Sequence, residues 1–185
     1  MRNVTTRIIT PEDNEIKKAR DLYYSAFPEE ERVDDAHMLA LMQTGRAKLL
    51  AIDAWEGEES LCAGYAYLII GESGTGYLLF FAIYDEMRGK GIGGGFLNWL
   101  AEAALCRQVV LDIEDPRDEN APNKEERIGR KRFYLERGFY ETSQHIIYEG
   151  QIFEVLCTAP QFNIDGYTEI IEELDKLGAR ITLMS

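Results

Sequence analysis

Apolar positions recur along the chain with two alternating periods. Ile16, Ala19, Leu22, Tyr23 and Ala26 fall three or four apart, the spacing of one buried helix face, until Phe27-Pro28 ends the pattern. The segment Thr6 to Ile9 before it reads as a first strand. Thr10-Pro11-Glu12-Asp13 reads as the helix start, with Thr10 as cap and Pro11 in the first turn. Asp34 or Asp35 can cap a second helix reaching Met42. Lys48 to Trp55, Leu61 to Ile70 and Tyr77 to Ile83 are then strands, separated by Gly57 and by Gly71-Glu72-Ser73-Gly74, and a meander is the simplest connection.

Beyond this meander the period returns to that of a helix. Ile92, Phe96, Leu97, Leu100, Ala101 and Ala104 form one apolar stripe, and Val109 to Ile113 is a strong next strand. Strand, helix and strand in that order imply a right-handed crossover between parallel neighbours. The stretch from Glu114 to Asn123, with two prolines and mixed charge, reads as a loop at the mouth of a site. Glu125 to Arg137 reads as a basic helix stopped by Gly138. Ile146 to Tyr148 and Ile152 to Cys157 form a hairpin around Glu149-Gly150, and Tyr167 to Leu177 a terminal amphipathic helix. The expected fold class is α/β (α+β), a mixed central sheet with helices on both faces, in a single domain over residues 1–185.

Chemistry concentrates where the strand ending Phe81-Ala82-Ile83 runs through Tyr84-Asp85-Glu86-Met87 into Arg88-Gly89-Lys90-Gly91-Ile92-Gly93-Gly94. A helix that begins there presents backbone amides without partners and the positive end of its dipole. Glycines admit an anion to the backbone, and Arg88 and Lys90 add full charges, so the ligand implied is a phosphorylated cofactor. A helix opening with Gly91, Gly93, Gly94 and Gly95 accepts a penalty of about 1 kcal/mol per interior glycine relative to alanine, which is easier to understand if something must approach closely. No Lys-Ser or Lys-Thr closes the turn, which excludes a nucleotide-hydrolase phosphate loop. A dinucleotide fingerprint can be fitted to Gly89, Gly91 and Gly94, but only one strand-helix-strand unit is evident where two halves are expected.

Read as a block, Arg-Gly-Lys-Gly-Ile-Gly followed downstream by Phe133-Tyr134-Leu135-Glu136-Arg137-Gly138-Phe139 resembles the GNAT superfamily of acyl-CoA N-acyltransferases. The resemblance implies that Arg88, Gly91 and Gly93 hold the pyrophosphate of coenzyme A, with Gly89, Lys90, Ile92, Gly94 and Phe133 beside them. It implies further that the backbone of Phe81, Ala82 and Ile83, on one splayed parallel strand pair in a largely antiparallel sheet, binds the pantetheine arm. Tyr134 would then protonate the departing thiolate. A phenol with a reference pKa of about 10 is a suitable donor to a thiolate whose own is about 8.5. Asp112 and Glu114, on one face of their strand, are the carboxylates suited to take a proton from the acceptor amine. Phe27, Glu30, Glu31 and Arg32 lie where this family contacts acceptors. Two positions depart from the family pattern: Arg127 and Arg130 stand where an Asn and an Ala are common. Either of them, or Lys131, can meet a cofactor phosphate or simply form a solvated basic face.

Composition narrows the partners. The 185 residues carry 33 acidic and 20 basic side chains, a net charge of −13 that disfavours nucleic acid and anionic membrane and favours a cationic amine acceptor, small molecule or protein. Cys62, Cys106 and Cys157 are scattered and His37 and His145 far apart, so neither a disulfide framework nor a metal site is expected. No apolar run is long enough to cross a bilayer, and the expected setting is soluble and cytoplasmic. A homodimer is an open option. The activity implied is acetyl transfer from acetyl-CoA to a primary amine by direct attack in a ternary complex. The alternative is a GNAT-like module that binds coenzyme A and does no chemistry.

Overall fold

A computed structural model describes residues 4–29, 32–103, 105–176 and 178–184. Among these, five helices and eight strands follow the order β1 (Val4–Ile9), α1 (Ile16–Ala26), α2 (Asp35–Gln43), β2 (Ala47–Glu56), β3 (Glu59–Ile70), β4 (Thr75–Ile83), α3 (Ile92–Glu102), β5 (Gln108–Glu114), α4 (Lys124–Leu135), β6 (Tyr140–Tyr148), β7 (Gln151–Cys157), α5 (Ile164–Lys176) and β8 (Ile181–Leu183). The strands hydrogen-bond in the order β1-β2-β3-β4-β5-β7-β6-β8, mostly antiparallel, with β4 and β5 parallel. The mixed, largely antiparallel sheet expected from the sequence is present. Its parallel register covers only Thr75↔Gln108 to Tyr77↔Val110, although β4 continues to Ile83 and β5 to Glu114.

Two compact units are distinguished, Met1–Ile70 with Leu78–Leu105, and Gly71–Tyr77 with Cys106–Ser185. In the first, α1 packs on β3, α2 on β2 and α3 on β1. The apolar face of α1 is buried at Ala19, Leu22 and Tyr23, as its spacing requires, and Tyr23 meets the Phe80 ring at 4.9 Å. Asp34 caps α2 by accepting from the Ala36 N–H at 2.7 Å. In the second unit α4 packs on β5 and α5 on β8.

Four expectations change. Thr10 does not cap α1: its own N–H and hydroxyl donate to Asp13 Oδ2, closing a turn, and the helix begins only at Ile16. Ala101 is exposed rather than part of the buried stripe of α3, while Ala104 and Leu177 lie outside the described residues. β6 starts at Tyr140, six residues early, because a bulge at 142–144 with Ser143 at φ 62° hides its alternation. β8, pairing Ile146↔Leu183 to Tyr148↔Ile181, was not expected at all.

Candidate active site

In the first unit the residues from β4 to α3 form one continuous corner. After Ile83 the chain makes a short 3-10 turn over Asp85–Met87, extends at Arg88, and enters α3 through Gly91, whose φ of 79° is left-handed. That value explains the glycine, since a Cβ at Gly91 would meet nothing within 4 Å; backbone conformation, not crowding, selects it. The Gly91 carbonyl accepts from the Gly95 N–H at 3.0 Å, the first bond of the helix. No side chain caps this end, so the amides of Ile92, Gly93 and Gly94 lack an intrahelical partner at the positive pole of the dipole. Lys90 and Arg88 flank it, both exposed. Arg88 also organises the corner: its Nε donates to the Ile83 carbonyl at 3.1 Å and its Nη1 pairs with Asp85 at 3.0 Å.

Gly95 has another explanation than a ligand. A Cβ there would lie 2.8 Å from Cγ2 of Val4, so this glycine lets α3 approach β1. Close packing likewise accounts for Phe81, whose ring meets Phe96 at 4.9 Å. Ala82 and Ile83 are buried, and the Tyr84 N–H donates to the Ala63 carbonyl at 2.9 Å.

At the end of α1, Phe27 packs on Tyr23 and Phe80 at ring distances of 5.4 and 6.1 Å. Arg32 folds back onto this end. Its Nε donates to the Phe27 carbonyl, its Nη2 to that of Tyr24, and its guanidinium covers the Tyr24 ring at 5.1 Å. Glu30 and Glu31 lie outside the described residues.

The second unit holds Asp112, Glu114, Phe133 and Tyr134. Tyr134 is the second-last residue of α4, edge-on to Phe133 and Phe139 at 5.4 and 5.5 Å. Burial raises its hydroxyl, Arg130 opposes and Asp112 adds, with the pKa pushed up to about 12. It is therefore a hydroxyl, and a proton donor, at neutral pH. The helix ends at Leu135, two residues before the expected Arg137, and Gly138, left-handed at φ 84°, lies in the turn that leads to β6. Phe133 is covered by the Arg137 guanidinium at 4.1 Å.

The two carboxylates of β5 have different surroundings. Glu114 is bound by Arg127 at 2.7 Å, by Arg130 at 2.8 Å and by the Asn123 amide at 3.2 Å. Asp112 accepts from the Tyr77 hydroxyl at 2.5 Å. The solvated basic face expected on α4 is corrected accordingly. Arg127 is buried and also donates to Asn123 Oδ1 and the Asp115 carbonyl, and Lys131 pairs with Glu141 and Glu154. These cations pair with acids of their own unit, Glu114 and Glu154 largely buried and Glu141 exposed, which accounts for their presence without a cofactor phosphate. The contact of Tyr77 with Asp112 is not legible in the sequence, because Tyr77 lies inside a strand pattern, where a tyrosine reads as core.

Among the described residues no group of three or more His, Cys, Asp or Glu side chains could hold a metal, and no helix is long and apolar enough to cross a membrane.

The acetyltransferase (GNAT) family model matches residues 16–139. Among solved structures, an acetyltransferase described as of the GNAT family from Bacteroides thetaiotaomicron is similar at 22% identity over 95% of this chain and 98% of that one, with a TM-score of 0.72. A Bacillus subtilis acetyltransferase in complex with CoA matches at 15% identity over 86% and 100%, TM-score 0.58. The spermidine N-acetyltransferase of Vibrio cholerae, in complex with CoA and spermine, matches at 14% identity over 83% and 94%, TM-score 0.61. At these identities the likeness establishes the fold alone. No curated protein matches the chain.

Proposed function

The chain belongs to the GNAT acetyltransferase family, and from that premise we propose that it is an acetyl-CoA-dependent N-acetyltransferase acting on a cationic primary amine, its two units serving one domain. The observation that carries this reading is the uncapped start of α3 behind left-handed Gly91, with open space beside Gly89 and Gly91 and two exposed cations next to it. These features fit a diphosphate, which needs close access to backbone amides and a positive field. Acetyl-CoA supplies the activated acetyl group.

Arg88 to Gly94 hold the diphosphate in this reading, and the backbone of Phe81, Ala82 and Ile83 orients the amide arm. Tyr134 gives its proton to the leaving thiolate. Of the carboxylates, Glu114 is held by Arg127, Arg130 and Asn123 and Asp112 by the Tyr77 hydroxyl, and either is a candidate to take the amine proton in this reading. Phe27 and Arg32 border the acceptor in this reading. The acceptor class rests on the net charge of −13 and on the polyamine substrate named for the Vibrio cholerae neighbour.

The test is thiol release from acetyl-CoA across a panel of amines, set beside thermal stabilisation by coenzyme A. Stabilisation without turnover on any amine would favour the non-catalytic binding module instead.

A further inference from the structure

The far end of β4 is positioned from β3. The parallel register with β5 ends at Tyr77↔Val110, whereas β4 runs on to Ile83, and past Tyr77 its lateral support within the first unit is β3. β3 is irregular where β4 ends. Its pairing with β2 steps from Ile52↔Gly64 to Asp53↔Cys62, so Ala63 is an extra residue, a bulge. The Ala63 carbonyl accepts from the Tyr84 N–H at 2.9 Å, and Gly64 follows it.

Gly64 has no left-handed backbone to explain it. What excludes a side chain is β4 itself. A Cβ at 64 would lie 2.2 Å from the Ala82 carbonyl oxygen and 2.9 Å from both Cα and Cδ1 of Ile83. Carbon and carbonyl oxygen ordinarily meet at about 3.3 Å, so the strand would have to retreat by about 1 Å. At Gly95 the obstacle is the Val4 side chain; at Gly64 it is main chain, which cannot swing aside.

We propose that Gly64 is a positioning residue for the acyl carrier: by leaving the volume of a side chain to the main chain of Ala82 and Ile83, it sets the edge of β4 along which the amide arm of coenzyme A lies. The proposal rests on the N-acetyltransferase reading, which lays that arm on Phe81 to Ile83, and adds to it a residue of β3 that needs no contact with the ligand. The arm is held by backbone groups, so its binding depends on where the strand lies rather than on which side chains the strand carries. A misplacement of about 1 Å can cost about a hundredfold where geometry matters. The start of α3 has separate support, packing on β1, so the diphosphate corner keeps its place when the end of β4 moves.

Gly64→Ala therefore should separate two parts of one ligand. By calorimetry, affinity for coenzyme A should fall about tenfold or more, while that for its nucleotide half, a 3′-phosphorylated adenosine diphosphate without the arm, should stay within about twofold. In turnover the KM for acetyl-CoA should rise and the KM for the amine stay unchanged. Equal losses on both ligands, or no loss, overturn the proposal. Gly64→Ala/Ile83→Val distinguishes position from packing. It removes the contact with Cδ1 and keeps the one with the Ala82 carbonyl, so the melting temperature should recover in part while coenzyme A affinity stays low. Affinity that recovers together with stability would make Gly64 a packing residue only. Where Gly64→Ala does not fold, the double variant carries the ligand comparison, and the wild-type protein supplies another. With 15N-labelled isoleucine, and Ile83→Val to assign the signal, the Ile83 amide should shift with coenzyme A and not with the nucleotide half; a signal unmoved by coenzyme A overturns the proposal. Wild-type protein that binds both ligands yet releases no thiol with any amine would sink the N-acetyltransferase reading, while the affinities still decide the role of Gly64. Binding of neither ligand would overturn both.

Discussion

Arg127 Nη2 lies 2.7 Å from Glu114 Oε1, with only 10% and 13% of the two side chains exposed. Removing one partner of a buried pair costs about 3–5 kcal/mol where the other charge is left alone, and less here, since Glu114 keeps Arg130 and Asn123. Arg127 in addition ties Asn123, the Asp115 carbonyl and Asp118, holding the segment between β5 and α4. Arg127→Ala should therefore lose several kcal/mol in chemical denaturation, whereas Arg130→Ala, at a 43% exposed site, should lose below about 1 kcal/mol. Similar small losses for both would show that the Arg127 pair is solvated.

Gly91 and Gly95 separate ligand binding from packing. Gly91→Glu puts a side chain and a negative charge at the start of α3 and forces a left-handed residue, costing roughly 1–2 kcal/mol of stability. Coenzyme A binding by calorimetry should be lost in this variant. Gly95→Ala meets Val4 at 2.8 Å and should lower stability while leaving coenzyme A affinity within a few-fold of wild type. A ligand present at one hundred times its Kd stabilises by about 2.7 kcal/mol, so the thermal shift with coenzyme A should vanish for Gly91→Glu and persist for Gly95→Ala. Equal affinities in Gly91→Glu and wild type would mean that the phosphates bind elsewhere.

Tyr134 makes a prediction for alkaline pH. Its folded-state pKa, about 12, exceeds the reference value of about 10, so the folded protein keeps a proton that the unfolded chain gives up. The stability linked to it is complete below pH 10 and declines as pH rises toward 12. Tyr77 and Tyr167, which burial pushes well above the ordinary range, act in the same direction. Urea midpoints should fall between pH 9.5 and 11.5, and Tyr134→Phe should reduce the slope. In turnover, Tyr134→Phe should lower kcat by at least about a hundredfold with little change in KM for the amine. A stable Tyr134→Phe with full turnover would remove the tyrosine from the mechanism.

The sequence disclosed what depends on local pattern and little of what depends on pairing across the chain. The glycine-rich corner was legible because Arg88, Gly91 and Gly93 are contiguous and their conformation is set locally. The helix that carries Tyr134 was legible by its place before Gly138. Asp112 and Glu114 looked equivalent, since strand alternation gives only their shared face. Their difference comes from Tyr77, 35 positions away, and from Arg127 and Arg130 on a later helix. Gly95 was misread for the same reason, as its neighbour Val4 lies at the other end of the unit's sequence. β8 escaped because three residues do not establish a period.

The acceptor remains open to a direct test. A net charge of −13 should draw a cation toward the protein. Arg32, fixed over Tyr24 at the end of α1, works against this locally and should disfavour an acceptor with its positive charge close to that loop. A long polyamine can satisfy both, with one amine at the reacting carbon and others in the wider acidic field, whereas a short diamine cannot. Electrostatic steering weakens as the Debye length falls from about 10 Å at 0.1 M salt to about 3 Å at 1 M. Across an acceptor series at both salt concentrations, kcat/KM should therefore rank polyamine above short diamine above neutral amine at low salt, and the spread should narrow at high salt mainly through KM. Arg32→Gln should raise kcat/KM for the short diamine more than for the polyamine. A preference for neutral or acidic amines, or a ranking indifferent to salt, would remove the electrostatic basis for a cationic acceptor.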